Sequence, residues 1–143
     1  MLGSNSAIVI MLIVILLVGF AILAVLALTR GHGRRLLNKE KYRTAWLEIE
    51  NNITKDNNSS YQFAILSADK LLDKALKESG VPGETMGDRL KQSDRLLQDI
   101  NGVWAAHKMR NRIAHEVGGN INKVVAKRML AIYKNALKDL GAI

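Results

Sequence analysis

Side chains able to move protons and hold anions gather in one short stretch, residues 104–116 (WAAHKMRNRIAHE). The imidazoles of His107 and His115 can exchange protons near neutral pH, and the guanidinium of Arg110 can grip a phosphate through two parallel N–H bonds. Asn111 carries a donor and an acceptor on one amide and can orient either partner. Cutting a phosphodiester through its own 2′-hydroxyl needs both capacities together: proton transfer, and positive charge on the phosphorane oxygens. Lys108 and Arg112 add cations suited to a nucleic-acid backbone beside the cut.

These residues fall on one predicted helix. At about 100° per residue, Ile100, Val103, Ala106, Ile113, Ala114 and Val117 form a broad apolar arc, the kind of face a packed helix buries. His107 and Arg110 lie inside that arc. His107, Asn111 and His115 are successive i,i+4 neighbours along one shoulder, whereas Lys108, Arg112 and Glu116 lie further round. A guanidinium in a buried arc calls for a carboxylate, a cleft or a second protomer, because an unpaired buried charge costs several kcal/mol. A plainer account has Arg110 extending its head to water, the histidines hydrogen-bonded in the packing and Asn111 bonded locally. Helical geometry also separates Arg110 from His115 by about 140°, while Arg112 is an i,i+3 neighbour of His115, so either arginine can be its partner.

The string Arg110-Asn111-Arg112-Ile113-Ala114-His115 resembles the Arg, four-to-six residues, His motif of the HEPN superfamily (higher eukaryotes and prokaryotes nucleotide-binding domains), in which Asn often follows the Arg. The resemblance spans residues 46–140, with further support from the Ala-Asp-Lys-Leu-Leu-Asp run at 68–73. It implies an all-α bundle and a metal-independent endoribonuclease or RNA-binding protein without a cofactor. HEPN ribonucleases work at a site built from two facing motif helices, so it also implies a homodimer through the motif helix. On that model Arg110 is the phosphate clamp, His115 the acid or base and Asn111 the orienting amide, with Arg112, His107 and Lys108 on the substrate. A catalytically silent HEPN-like dimerisation or binding module is the alternative. Val117 stands two residues after His115, where one HEPN branch carries Tyr, so that branch's toxin activity is not implied.

Composition narrows the remaining classes. The 143 residues include no cysteine, which excludes disulfides and thiolate chemistry, and the three histidines follow no metal-ligand spacing. No glycine-rich phosphate loop is present, and seven aromatic residues provide no stacking platform for single-stranded RNA. The net charge is +8, but residues 30–43 alone carry six basic side chains against one acidic. Most of the excess therefore lies beside the N-terminal apolar segment, where anionic lipid would hold it, and only a small remainder bears on RNA.

Ala7 opens and Leu28 closes a run of 22 residues without a charge. As a helix it measures about 33 Å, enough to cross a hydrocarbon core of about 30 Å. A cleaved signal peptide is the competitor, but residues 1–6 hold no basic side chain and no Ala-x-Ala site follows. The expected organisation is a lipid-bilayer anchor over 1–29, a basic juxtamembrane segment over 30–43, and a domain over 44–143. With Lys and Arg only after the span, the positive-inside rule predicts a single-pass cell-membrane protein, N-terminus outside and C-terminal domain in the cytoplasm.

Four or five helices should make up that domain. Tyr42, Trp46, Ile49 and Ile53 set an apolar seam on a helix over 34–53, with Trp46 in the core. Ser59 or Ser60 can cap a long helix to 79 whose face includes Ala64, Ala68, Leu71, Leu72 and Ala75, with Asp69 at its edge. Gly80-Val81-Pro82-Gly83 ends it, and Thr85 with Asp88 forms a capping box for a short helix to about 92. The motif helix follows, reaching 116 or 117 before Gly118-Gly119 stops it. Asn120 or Asn122 caps a final amphipathic helix from Val124 to Leu140.

Overall fold

A computed structural model describes residues 4–29, 36–115 and 119–143, with side chains in the first of these from Ser6 to Val25. Among the described residues all regular structure is helical: α1 (Ser4–Thr29), α2 (Lys39–Ile53), α3 (Asn58–Glu78), α4 (Met86–Lys91), α5 (Ile100–His115) and α6 (Lys123–Asp139). Helix α1 forms one compact unit and helices α2 to α6 another.

In α1 the apolar side chains run round every side and stay exposed, from Ile8 through Phe20 to Val25. A helix of this kind lacks the polar face that water requires. Its segment Ser6–Val25, with a mean hydropathy of 3.5, is long and apolar enough to cross a membrane. Of the basic cluster expected after it, Arg30, Arg34 and Arg35 lie outside the described residues, and Lys39, Lys41 and Arg43 fall in the first turns of α2.

The second unit is a bundle centred on α3. Ala64, Ala68 and Ala75 are fully buried along this helix, and their small side chains let neighbouring backbones approach while Ile65, Leu72 and Leu76 fill the space between. Helices α2, α5 and α6 all pack on α3. From α2 come Tyr42, Trp46 and Ile49, as the seam predicts, and α6 brings Leu130, Tyr133 and Leu137.

Local chemistry sets the helix ends. Helix α2 starts at Lys39 rather than 34, because the Asn38 side chain accepts from the Lys41 amide and the residues at 36–38 are not helical. Asn57, not Ser59 or Ser60, caps α3, and Ser60 supplies the reciprocal half of the box. Asn57 has the extended backbone of a cap, at φ −136° and ψ 160°, whereas Ser59 and Ser60 are already inside the first helical turn. Gly80 ends α3 at φ 88°, with its amide on Lys77 and that of Val81 on Leu76. The Thr85–Asp88 capping box opens α4 as expected, and Asn122 caps α6. The expected motif-helix end at 116 or 117 and the stop at Gly118 lie outside the described residues, and α5 is described to His115.

Candidate functional site

Asp69 sits midway along α3, on the turn between Ala68 and Leu72, and only 4% of it meets solvent. A buried carboxylate needs several donors. Two elements supply them: Tyr133 from α6 donates its hydroxyl to Oδ1 at 3.0 Å, and His107 from α5 brings Nδ1 to the same oxygen at 2.8 Å. Burial first, and then the Asp69 charge, hold the Tyr133 hydroxyl above the ordinary phenol range, so it remains a donor. Arg110 places Nε 3.4 Å from Oδ2, within ion-pairing distance. That nitrogen is buried and makes no hydrogen bond, so the pair is held by charge without a shared proton.

Asn111 completes a closed circuit. Its Nδ2 lies 3.3 Å from Nε2 of His107, and its Oδ1 accepts from Nη1 of Arg110 at 3.0 Å. With Asp69 taking the Nδ1 proton, Nε2 presents its lone pair to the amide N–H, and the amide oxygen turns to the guanidinium. The set Asp69, His107, Asn111, Arg110 and back to Asp69 is internally consistent for a neutral imidazole protonated at Nδ1. Trp104 braces the imidazole edge-on, with ring centres 6.1 Å apart.

This ring forms one wall of a cleft of about 1020 Å³, lined by α3 and α5 and closed at one end by Thr85, Met86 and Gly87 at the start of α4. Lys70 and Asp73 also line it. Asp73 is held by Arg89, whose Nε lies 2.7 Å from Oδ1 and whose Nη1 and Nη2 donate to the carbonyls of Gly83 and Glu84. The Arg89 fork thus ties the start of α4 to α3 and fixes the cleft's end. Gly83, at φ 145°, leaves room for it, since a Cβ there would lie 2.8 Å from the Arg89 amide.

His107, Arg110 and Asn111 are thus brought together, and of the alternatives open to Arg110 it meets both a carboxylate, Asp69, and the cleft. Arg110 remains 36% exposed at its side chain, so the guanidinium is reachable from the cleft. His115 is exposed as the last residue of α5 and is not among the cleft-lining residues. Lys108 and Arg112 are exposed on α5 and likewise outside the lining. Tyr133 was legible only as part of the α6 apolar face. A tyrosine at a buried position signals that its hydroxyl needs an acceptor, but not which one.

Chemically, the wall combines an imidazole oriented by a buried carboxylate with an accessible guanidinium, a pairing suited to proton transfer beside a bound anion. Among the described residues no cluster of three or more histidine, aspartate or glutamate side chains is placed to hold a metal ion.

Neither the protein-family models, nor the curated proteins, nor the solved structures contain a match to this chain. The site is therefore read from its own geometry.

Proposed function

We propose that this chain is a membrane-anchored HEPN-like protein that binds RNA in the α3–α5 cleft and cleaves it without a metal. One observation carries the reading: the ring of Asp69, His107, Asn111 and Arg110 places an oriented imidazole and a reachable guanidinium on the same cleft wall. Arg110 binds the scissile phosphate, and Lys70 adds a second cation to the lining of the cleft. His107 is the proton-transfer group nearest that phosphate, while His115, Arg112 and Lys108 on the exposed part of α5 engage the strand beyond it or the motif helix of a second copy. Helix α1 anchors the chain as a single pass, and the basic residues that follow it keep the domain in the cytoplasm with the RNA.

The decisive experiment incubates the full chain in detergent micelles with single-stranded RNA in EDTA. Cleavage is expected, falling by about 10²- to 10⁴-fold in His107→Ala, the usual range for removing a general acid or base. RNA that stays intact at every protein concentration removes the nuclease. A second reading rests on His115 lying outside the cleft and on the charge of Arg110 being matched by Asp69. These favour a silent HEPN-like module, and the same experiment then shows RNA retained on the protein but never cut.

A further inference from the structure

One carboxylate serves two bases in this cleft. Asp69 carries a single negative charge and faces both the Arg110 guanidinium and the His107 imidazole. With the imidazole neutral, Arg110 and Asp69 balance each other. With the imidazole protonated, His107 and Asp69 balance, and the guanidinium charge is left over for an anion. The amide of Asn111 enforces the same alternation. Its Nδ2 can donate to Nε2 of His107 only while Nε2 lacks a proton. Once Nε2 carries one, two donors face each other, and the amide must turn so that Oδ1 accepts from it. That turn takes Oδ1 away from Nη1 of Arg110 and presents Nδ2 to the guanidinium, donor against donor.

We propose that phosphate capture by Arg110 is coupled to uptake of one proton at Nε2 of His107, with Asn111 as the positioning residue that switches between the two arrangements. The inference rests on the reading of the cleft as a phosphodiester site, and adds how that site is regulated. The proton comes from bulk water. By linkage the coupling runs both ways: a phosphodiester that draws Arg110 off Asp69 leaves a carboxylate that favours the imidazolium. A bound strand therefore holds His107 as imidazolium, and an empty cleft keeps Arg110 latched.

The groups facing His107 support this assignment. From α3 come Asp69 and, along the same cleft, Lys70 and Asp73, the last already held by Arg89. From α6 comes Tyr133, a donor to Asp69 in both arrangements. From α5 come Arg110 and Asn111, with Trp104 against the ring edge. The first turn of α4 adds Thr85, Met86 and Gly87, none of which titrates.

The test uses the full chain in detergent micelles, in a His115→Gln background, so that His107 is the one imidazole of α5. A single-stranded oligodeoxynucleotide, which lacks the 2′-hydroxyl and stays whole, is titrated calorimetrically in two buffers of different ionisation enthalpy. The expected result is net proton uptake of up to one per site, with affinity rising by up to about tenfold for each unit by which pH falls. His107→Gln keeps both neutral-state bonds through its own amide and should bind with no uptake and no pH slope. Binding without uptake, or the same slope in His107→Gln, overturns the coupling and leaves the RNA-binding reading standing. If neither this strand nor its 2′-O-methyl RNA counterpart binds, that reading is defeated instead. Nitrogen-15 NMR of the ligand-free protein then tests the coupling separately: the Asn111 amide and the Arg110 guanidinium should shift with the same midpoint as the His107 ring. Signals from Asn111 and Arg110 that ignore the imidazole titration overturn the switch whether or not RNA binds.

Discussion

Arg110 is reachable from the cleft, yet its inner nitrogen is buried beside a carboxylate with no hydrogen bond. This half-satisfied state separates its two possible roles. Were the guanidinium the only counter-charge to Asp69, Arg110→Met would strand a buried anion and cost about 3–5 kcal/mol. On the proposed coupling, His107 takes up a proton when Arg110 is removed and, with the Tyr133 hydroxyl, still meets Asp69, so Arg110→Met should cost only about 1 kcal/mol by thermal melting, while abolishing oligonucleotide binding. A larger loss, rescued by Asp69→Asn, would make Arg110 part of the scaffold. Tyr133→Phe probes the opposite side of the same carboxylate. It removes one hydrogen bond to a buried charge, which costs about 1.5–3 kcal/mol, and urea unfolding should show that loss. The site is therefore expected to depend on Tyr133 for its stability and on Arg110 for its affinity.

At the scale of the elements, α3 is the rod on which the site is mounted, and its contacts at both ends are polar. At the C-terminal end, Tyr42 of α2 donates to Glu78 at 2.8 Å and Lys41 pairs with the same carboxylate at 3.3 Å. The Tyr42 bond, ahead of Lys41, holds the Glu78 carboxyl below its ordinary value of 4.5. A carboxylate depressed in the folded state contributes stability above its unfolded value, and that contribution is lost as pH falls through the folded one. The urea midpoint should therefore hold between about pH 7 and 5.5 and drop below about 4.5, and Tyr42→Phe should shrink that drop. At the N-terminal end, Asn57→Ala removes the half of the capping box in which Asn57 Oδ1 accepts from the Ser60 amide, leaves the backbone N–H of residue 57 on Ser60 Oγ, and should cost about 1 kcal/mol, read from the same unfolding curves. Arg89 joins α4 to α3 through Asp73. With Asp73 about 30% exposed, Arg89→Met should cost roughly 2–3 kcal/mol and loosen the end of the cleft.

For the whole molecule, the two units answer to different solvents. Helix α1 exposes apolar side chains on every side, so as a membrane span it has lipid to meet them, and the bundle keeps its own apolar face on α3. In sealed vesicles holding the full chain with cytoplasmic-side-out orientation, added protease should digest the helical domain. In vesicles of the opposite orientation the domain should be protected. Digestion in the reverse pattern would overturn the proposed topology, and release of the domain into the supernatant would favour a cleaved leader.

Periodicity carries the helix count, the central amphipathic face around Ala64 to Ala75, and the membrane-length run, because each depends only on spacing along one helix. The capping box at Thr85 and the glycine stop at Gly80 were equally legible, being local hydrogen-bond chemistry within a few residues. The cap of α3 is not fixed by residue type, because Asn57, Ser59 and Ser60 compete in one short polar stretch and backbone geometry selects among them. The site divides the same way. His107, Arg110 and Asn111 share one helix, so their spacing put them within reach of each other before any fold was known. Asp69 lies 38 residues before His107 and 64 residues before Tyr133. No pattern along the chain says that an imidazole on one helix and a hydroxyl on the face of another meet the same carboxylate at the edge of a third. That meeting, and the exclusion of His115 from the cleft, follow from the rotation of α5 and α6 against α3, which packing across the whole bundle sets.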